Sequence, residues 1–198
     1  MKKLTHVIPT LLILITAGCA SVSMVESWKD RTVPGKSYQN FLVVGITENL
    51  QMRQIFEEVL AAELRKKGVA ATASYTITGV EEKLSRGAVE KAVQATAVDA
   101  VITTRVVDFK KKTQKDVGYV MSDRAKIGPV SFATFDLKPV EITTSTTYAL
   151  ETDLFDTATQ NLVWTGTTNA VDPQGIITVS KEFSGVVITE MSKEGLIP

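Results

Sequence analysis

The chain has one cysteine, Cys19, and one histidine, His6. Cysteine and histidine are the side chains that most often bind zinc, attack substrates or act as general bases near neutral pH. Both lie within the first twenty residues, so the rest of the chain contains neither type. Zinc sites built from Cys and His, disulfides, Ser-His-Asp triads and Cys-His dyads are therefore excluded beyond residue 20, and only carboxylate or Ser-Lys chemistry is left for catalysis.

An export signal surrounds these two residues. Lys2 and Lys3 precede an apolar run over residues 7–15, and small residues follow at positions 17 and 18. The run of roughly a dozen residues is shorter than the ~20 that a permanent membrane-spanning helix needs. We therefore predict a cleaved signal peptide over residues 1–18.

The small residues before Cys19 resemble the lipobox of bacterial lipoproteins, in which the cysteine is acylated and becomes the mature N-terminus. The resemblance implies a covalent lipid at Cys19, a membrane anchor and no other cofactor. The alternatives are an ordinary signal peptide with a cysteine near the cleavage site, or a buried free cysteine. Acylation is favoured because a lone exported thiol is otherwise unpaired in an oxidising compartment. Ala20 stands where Asp often signals inner-membrane retention, so the resemblance indicates the outer membrane, facing the periplasm.

The charge balance argues against nucleic-acid binding. Without Lys2 and Lys3 the mature chain has 20 basic residues against 22 acidic ones, whereas a nucleic-acid-binding protein carries a clustered basic excess.

About 180 mature residues are enough for one domain with a sizeable core. We predict a lipidated N-terminus and tether over residues 19–40, followed by a single domain over residues 41–198.

Hydrophobic periodicity predicts an α/β domain. The predicted strands are residues 41–46, 69–77 and 99–109, a hairpin over 141–155 and 162–168, and the predicted helices are 50–67, 88–97 and one after Pro173. Strand and helix alternate at first, which is typical of a parallel sheet with right-handed crossovers. The predicted fold is one mixed sheet in the order β-α-β-α-β-(flap)-β-β-α.

Residues 110–140 show no sustained period and contain several Gly and Pro, so we predict an inserted flap there. Its segment 127–137 includes Phe132 and Phe135, which either tuck under the domain or contact a partner. Lys110, Lys111 and Lys112 at its start are either a solvated strand end or a basic patch for an acidic surface. We predict the two phenylalanines as anchors of a partner interface and the lysines as its charged rim.

The carboxyl ends of parallel strands are where open α/β sheets bind ligands. Thr47, Glu48 and Asn49 follow the first predicted strand, so they are candidate ligand-binding residues. The alternative is a helix N-cap formed by Asn49. Neither the acidic nor the polar residues indicate a metal site or a catalytic group.

Three stretches together support a family resemblance: "SWKD" at 27–30, "FLVVGI" leading into "FEEVLAAELRKKGV" at 56–69, and "LFDTATQNLVWTGTT" at 154–168. They resemble a group of small, largely uncharacterised bacterial lipoproteins. The layout is also similar to the α/β domains of the TolB protein, of lipoprotein activators of penicillin-binding proteins, and of the curli secretion lipoprotein. The sequence shows no long amphipathic hairpin pair of the kind that a secretion channel would need.

The resemblance supplies no catalytic residue, and we predict a non-catalytic binding or adaptor module in cell-envelope assembly or maintenance, anchored by its lipid. Its expected partner is another envelope protein or a peptidoglycan-associated one. The alternatives are a subunit of an oligomeric export or assembly complex, in which the chain binds copies of itself, and a carboxylate-dependent envelope hydrolase.

Overall fold

The computed structural model describes residues 21–32, 35–79, 84–127 and 130–198. Ten helices and strands lie in this part of the chain. In chain order they are β1 (Val22–Lys29), β2 (Asn40–Ile46), α1 (Leu50–Lys66), β3 (Ala70–Ala73), α2 (Tyr75–Thr78), α3 (Arg86–Thr96), β4 (Ala100–Ile127), β5 (Val130–Asp156), β6 (Leu162–Val171) and α4 (Ile176–Lys193).

The described strands form one mixed sheet in the order β1-β6-β5-β4-β2-β3. Strand β2 pairs in parallel with β3 and β4, whereas the pairs β4–β5, β5–β6 and β1–β6 are antiparallel. The predicted α/β class with a single mixed sheet is confirmed.

Helices cover both faces of the sheet and give two apolar clusters. The larger cluster packs α1 and α4 on one face, with Trp164, Phe41 and Phe183 fully buried. The smaller cluster packs α3 on the other face, around Leu42 and Val44 of β2. Since β2 has apolar side chains on both faces, it is a central strand, as its continuous apolar run predicts.

Helix α1 begins and ends within a residue of its prediction. The Asn49 side chain accepts a hydrogen bond from the Met52 amide at 3.0 Å and forms the N-cap. The predicted second helix matches α3, and the final helix matches α4.

The prediction of a flap without secondary structure over residues 110–140 is wrong. Strands β4 and β5 are 28 and 27 residues long and pair with each other along their whole length. Strand β4 pairs with β2 only as far as Arg105, and β5 pairs with β6 only from Thr147. Residues 106–127 and 130–146 therefore extend beyond these pairings, and we call them the arm. Residues 106–110 still pair with the part of β5 that is bonded to β6, so the arm is two-stranded only over residues 111–127 and 130–146. The sequence shows no long amphipathic hairpin pair, and the described residues contain one long hairpin, formed by β4 and β5.

The arm contains three register irregularities. They lie between Val106 and Asp108, between Lys112 and Thr113, and between Met121 and Asp123. Each one leaves a residue unpaired on one strand, which bends a ribbon and increases its twist. At about 3.3 Å per residue, the 17 residues of β4 from 111 to 127 reach roughly 55 Å beyond the sheet.

Two shorter predictions also fail. The tether is wrong for residues 22–29, because β1 pairs along β6 from Val22 to Lys29. The predicted strand over 69–77 stops at Ala73, since the Ser74 hydroxyl donates a hydrogen bond to the Glu57 carboxylate at 2.8 Å and the chain then turns into α2.

Several strand termini lie together at one end of the sheet, which is the end from which the arm projects. Strands β2 and β6 end there, β1 begins there, and the arm leaves there, because Val22 pairs with Ala170 and Thr147 pairs with Val171. We call it the arm edge. It contains the carboxyl ends of the parallel strands β2 and β4 within the sheet.

Candidate functional site: the arm and the pocket at its base

The distal part of the arm has an exposed apolar face. Val117, Tyr119 and Met121 alternate along β4, so they point to the same face of the ribbon, and Leu137 of β5 lies opposite Tyr119. These four side chains are 64%, 77%, 50% and 61% exposed. We call them the apolar stripe. Contiguous exposed apolar side chains on a protein typically mark an interaction surface.

The opposite face of the same segment is polar. Asp116, Asp136 and Lys138 are exposed there, beside the partly buried Val120 and Val140. Gly118 lies close to Val140, since a Cβ on Gly118 would meet Val140 Cγ2 at 2.9 Å. The distal arm is therefore amphipathic across its two faces.

The predicted basic residues lie on the proximal half of the arm. Lys110, Lys111 and Lys112 are exposed and point alternately to the two faces. Lys110 forms a 3.2 Å ion pair with Asp108, and its hydrogen bond lowers the pKa of the Asp108 carboxyl. The lysines lie five or more residues from Val117, so they are separated along the arm from the apolar stripe.

The predicted anchors Phe132 and Phe135 belong to β5, where their backbones pair with Ala125 and Met121. Their side chains lie outside the described part of the structure. Their role as anchors stays a prediction. Cys19 also lies outside the described residues, so its acylation stays a prediction.

An apolar pocket of about 390 Å³ opens at the arm edge. The end of β2, the first turns of α1 and α4, and the base of the arm form its walls. The apolar lining side chains include Ile46, Met52, Phe56, Val106, Leu150 and Val179, together with Ala170 and Ile176. Its volume falls within the range of roughly 300–1,000 Å³ that small-molecule sites usually have. We call this cavity the apolar pocket.

The rim of the pocket carries few polar side chains. The guanidinium group of Arg105 is ion-paired with the carboxylate of Glu151. The Thr104 hydroxyl lies 3.1 Å from the Thr152 hydroxyl on the neighbouring strand. Because these polar groups already have partners, the pocket presents a mainly apolar surface to an occupant.

Of the three candidate ligand residues, only Thr47 lines the pocket. Asn49 caps α1, as the alternative interpretation predicted. Glu48 is exposed and does not line the pocket. The pocket lies at the carboxyl ends of the parallel strands, although most of its lining comes from residues other than the three candidates. Ligand binding by Thr47 stays a prediction.

A buried ion pair fixes one wall of this pocket. Arg53 Nε lies 3.0 Å from Glu57 Oε1, and both side chains are at most 2% exposed. The Glu57 carboxylate also accepts hydrogen bonds from the amides of Gly45 and Tyr75, at 2.9 Å each. These contacts join the end of β2 to α1, which carries Met52 and Phe56.

Two further observations concern the described residues alone. None of their helices is long and apolar enough to cross a membrane. They contain no group of three or more His, Cys, Asp or Glu side chains that could hold a metal ion.

No protein-family model and no curated protein sequence matches the chain. Structural similarity extends to the PelC dodecamer from Paraburkholderia phytofirmans, with 14% identity, a TM-score of 0.47 and coverage of 89% of this chain and 99% of that one. A variant of the same dodecamer gives 15% identity, a TM-score of 0.46 and coverage of 84% and 94%. Lipoprotein GNA1162 from Neisseria meningitidis gives 14% identity, a TM-score of 0.42 and coverage of 78% and 99%. The structural neighbours thus include a lipoprotein, but likenesses this remote leave function to be argued from the chain's own residues.

Proposed function

We propose that the chain is a lipoprotein of the cell envelope, acylated at Cys19 in the outer membrane and facing the periplasm, and that it binds a partner without catalysis. The arm is the observation on which the proposal rests. It extends an exposed apolar stripe far beyond the sheet that holds it.

An isolated two-stranded ribbon is only marginally stable in water, and a third strand or a packed surface is usually needed to support it. Over residues 106–127 and 130–146 neither strand has a further neighbour in the described sheet. Both outer edges therefore present unpaired backbone groups, and such edges pair readily with another chain. A bound partner would satisfy these groups and cover Tyr119 and Leu137.

The side chains indicate the chemistry of that partner. The apolar stripe suits an apolar groove, and Lys111 and Lys115 on the proximal arm suit acidic groups beside it. Acylation would confine the domain to a thin layer at the membrane, which raises the effective concentration of the partner there. A modest interface would then be sufficient.

Site-specific photo-crosslinking in cells tests this proposal. A benzophenone amino acid replaces Tyr119 on the apolar stripe, and in a matched protein it replaces Lys138 on the opposite, polar face. We expect Tyr119 to give a discrete crosslinked product that Lys138 does not give. Equal labelling of many proteins from both positions would contradict a defined interface.

A second candidate function is a subunit of an oligomeric envelope complex. The two open edges of the arm favour it, since one copy can offer the β4 edge and the next copy the β5 edge in a head-to-tail contact. Crosslinks from Tyr119 that join two copies of the chain would support this candidate. Crosslinks to a different envelope protein would support the adaptor.

A further inference from the structure

The apolar pocket lies beside the point where the N-terminal segment joins the fold. Val22, at the start of β1, pairs with Ala170 of β6, and Ala170 is part of the pocket lining. Strand β1 therefore starts at the arm edge, which is the end of the sheet where the pocket opens.

The first described residue, Ser21, is hydrogen-bonded to helix α4. The Ser21 amide and hydroxyl both donate hydrogen bonds to the Glu182 carboxylate of α4, at 2.9 and 2.6 Å. Helix α4 also carries Val179, which lines the pocket less than one turn away along the helix. Cys19 precedes Ser21 by two residues in the sequence, and two residues of chain span at most about 7 Å.

We propose that one acyl chain of the lipid at Cys19 occupies the apolar pocket. This inference rests on the acylation of Cys19 that is part of the proposed function. Because Cys19 lies only two residues before the described Ser21, a long acyl chain on Cys19 has the length to reach the pocket. The occupant is the chain's own N-terminal lipid, which the short link to Ser21 keeps next to the pocket at a high effective concentration.

The lining fits an aliphatic chain better than a polar ligand. Specific small molecules are usually held by a few convergent polar groups, but Arg105 and Thr104 at this pocket already bond to Glu151 and Thr152. An acyl chain needs no polar partner along its length. Its burial removes Phe56, Leu150 and Val179 from water together with the methylene groups of the lipid.

The test uses the full-length protein in its own membrane. Cells are supplied with a palmitate analogue that carries a photoreactive diazirine, the membranes are irradiated, and the digested protein is analysed by mass spectrometry. We expect the peptide that contains Cys19 to be joined through its acyl chain to peptides that contain Met52 or Val179.

Three variants make the outcome specific. Ile176→Asp and Met52→Asp each place a charge on a partly exposed pocket wall and should reduce the crosslink at least fivefold. Ile177→Asp is the matched control, because Ile177 is 54% exposed, is adjacent to Ile176 and does not line the pocket. It should leave the crosslink unchanged.

The remaining outcomes separate this inference from the proposed function. An acylated Cys19 peptide that is joined only to phospholipid overturns the pocket assignment and leaves the anchor intact. A pocket peptide joined to a phospholipid, in place of the Cys19 peptide, identifies a membrane lipid as the occupant and also overturns it. An unmodified Cys19 peptide overturns the anchor itself.

Discussion

The ammonium group of Lys36 lies 2.5 Å from Oδ2 of Asp156, a residue that is only 3% exposed. The same oxygen accepts a hydrogen bond from the Tyr38 hydroxyl at 3.0 Å, and Oδ1 accepts the amides of Ala158 and Thr159 at 2.8 and 3.0 Å. The carboxylate thus joins the segment before β2 to the turn between β5 and β6. Burial by itself raises the pKa of Asp156, but these four hydrogen bonds outweigh it and lower the pKa to about 2.

This cluster predicts a loss of stability in acid. The folded-state pKa of Asp156 is below its ordinary value of 3.8, so the carboxylate stabilises the fold above about pH 4, and that contribution is lost as the pH falls from about 4 to 2. The free energy of unfolding should fall by about 2 kcal/mol through this group. Urea denaturation over that pH range measures it, and Asp156→Asn should flatten this part of the profile. If the free energy of unfolding depends on pH in the same way in the Asp156→Asn variant, other groups cause the acid sensitivity.

Gly166 and Gly185 should respond to alanine in opposite directions. A Cβ on Gly166 would meet two atoms of the buried Trp164 ring at 2.4 and 2.7 Å, whereas a Cβ on Gly185 meets nothing within 4 Å. We expect Gly166→Ala to lower the free energy of unfolding by about 1–3 kcal/mol through overpacking. Gly185→Ala, in the middle of α4, should raise it by about 0.5–1 kcal/mol through helix propensity. Chemical denaturation of the two variants decides this, and similar changes in both would refute the packing of Trp164 over Gly166.

The buried ion pair of Arg53 and Glu57 should contribute far more to the stability of the fold than an exposed ion pair of the same spacing. Arg53→Met leaves the Glu57 carboxylate buried without its counter-charge, which should cost about 3–5 kcal/mol. The matched control is Arg86→Met, since Arg86 and Glu90 form an i,i+4 pair in which both side chains are more than half exposed. That change should cost about 0.5 kcal/mol or less. Thermal unfolding that shifts equally in the two variants would contradict the role of the buried pair.

The arm should be cut by protease before the domain is. Lys110, Lys111, Lys112 and Lys115 lie in the part of the ribbon that lacks neighbouring strands, so local opening there costs little free energy. Limited trypsin treatment of the purified protein should cleave among these lysines and leave the α1 and α4 region intact. In membranes that contain a bound partner, the same sites should be protected. Cleavage of α1 at Arg65 at the same rate would show that the arm is as stable as the domain.

The apolar stripe should not contribute to the stability of the fold. The double variant Tyr119→Ser with Leu137→Ser removes two side chains that are more than 60% exposed, and surface changes of this kind usually alter stability by about 0.5 kcal/mol or less. Capture of the crosslinked partner should be lost, while the midpoint of thermal unfolding stays within a few degrees. A large loss of stability would show that the stripe is packed against the protein itself.

The sequence predicts best the strands and helices whose apolar side chains must be buried in the core. Strand β2 is buried on both faces and helix α1 on one, so their apolar patterns follow from burial. The arm has no such requirement, because water reaches both of its faces over residues 110–116. Its polar residues therefore show no period, and the sequence pattern does not reveal that β4 pairs with β5 there. Strand β1 was missed for a related reason, since it is a half-exposed edge strand.

The pocket could be predicted only in part. The rule that ligands bind at the carboxyl ends of parallel strands indicates the end of β2, where the pocket opens, and ligand binding there stays a prediction. The walls, however, come from segments more than a hundred residues apart, such as Met52 and Val179. Arg53 and Glu57 gave a misleading signal, because charged residues are expected on the outside of a helix and these two are buried. Their i,i+4 spacing was the only clue that they form a pair.

Each unpaired residue in the arm changes the face of the ribbon to which the side chains after it point. In a regular strand, Val106 and Val117 are eleven residues apart and would point to opposite faces. The irregularity after Val106 adds one residue and brings Val117 back to the face of Val106, and the irregularity opposite Lys112 does the same for Leu137 and Tyr148. The mouth of the apolar pocket and the apolar stripe therefore belong to the same face of the ribbon, so apolar side chains recur on that one face from the base of the arm to its distal part.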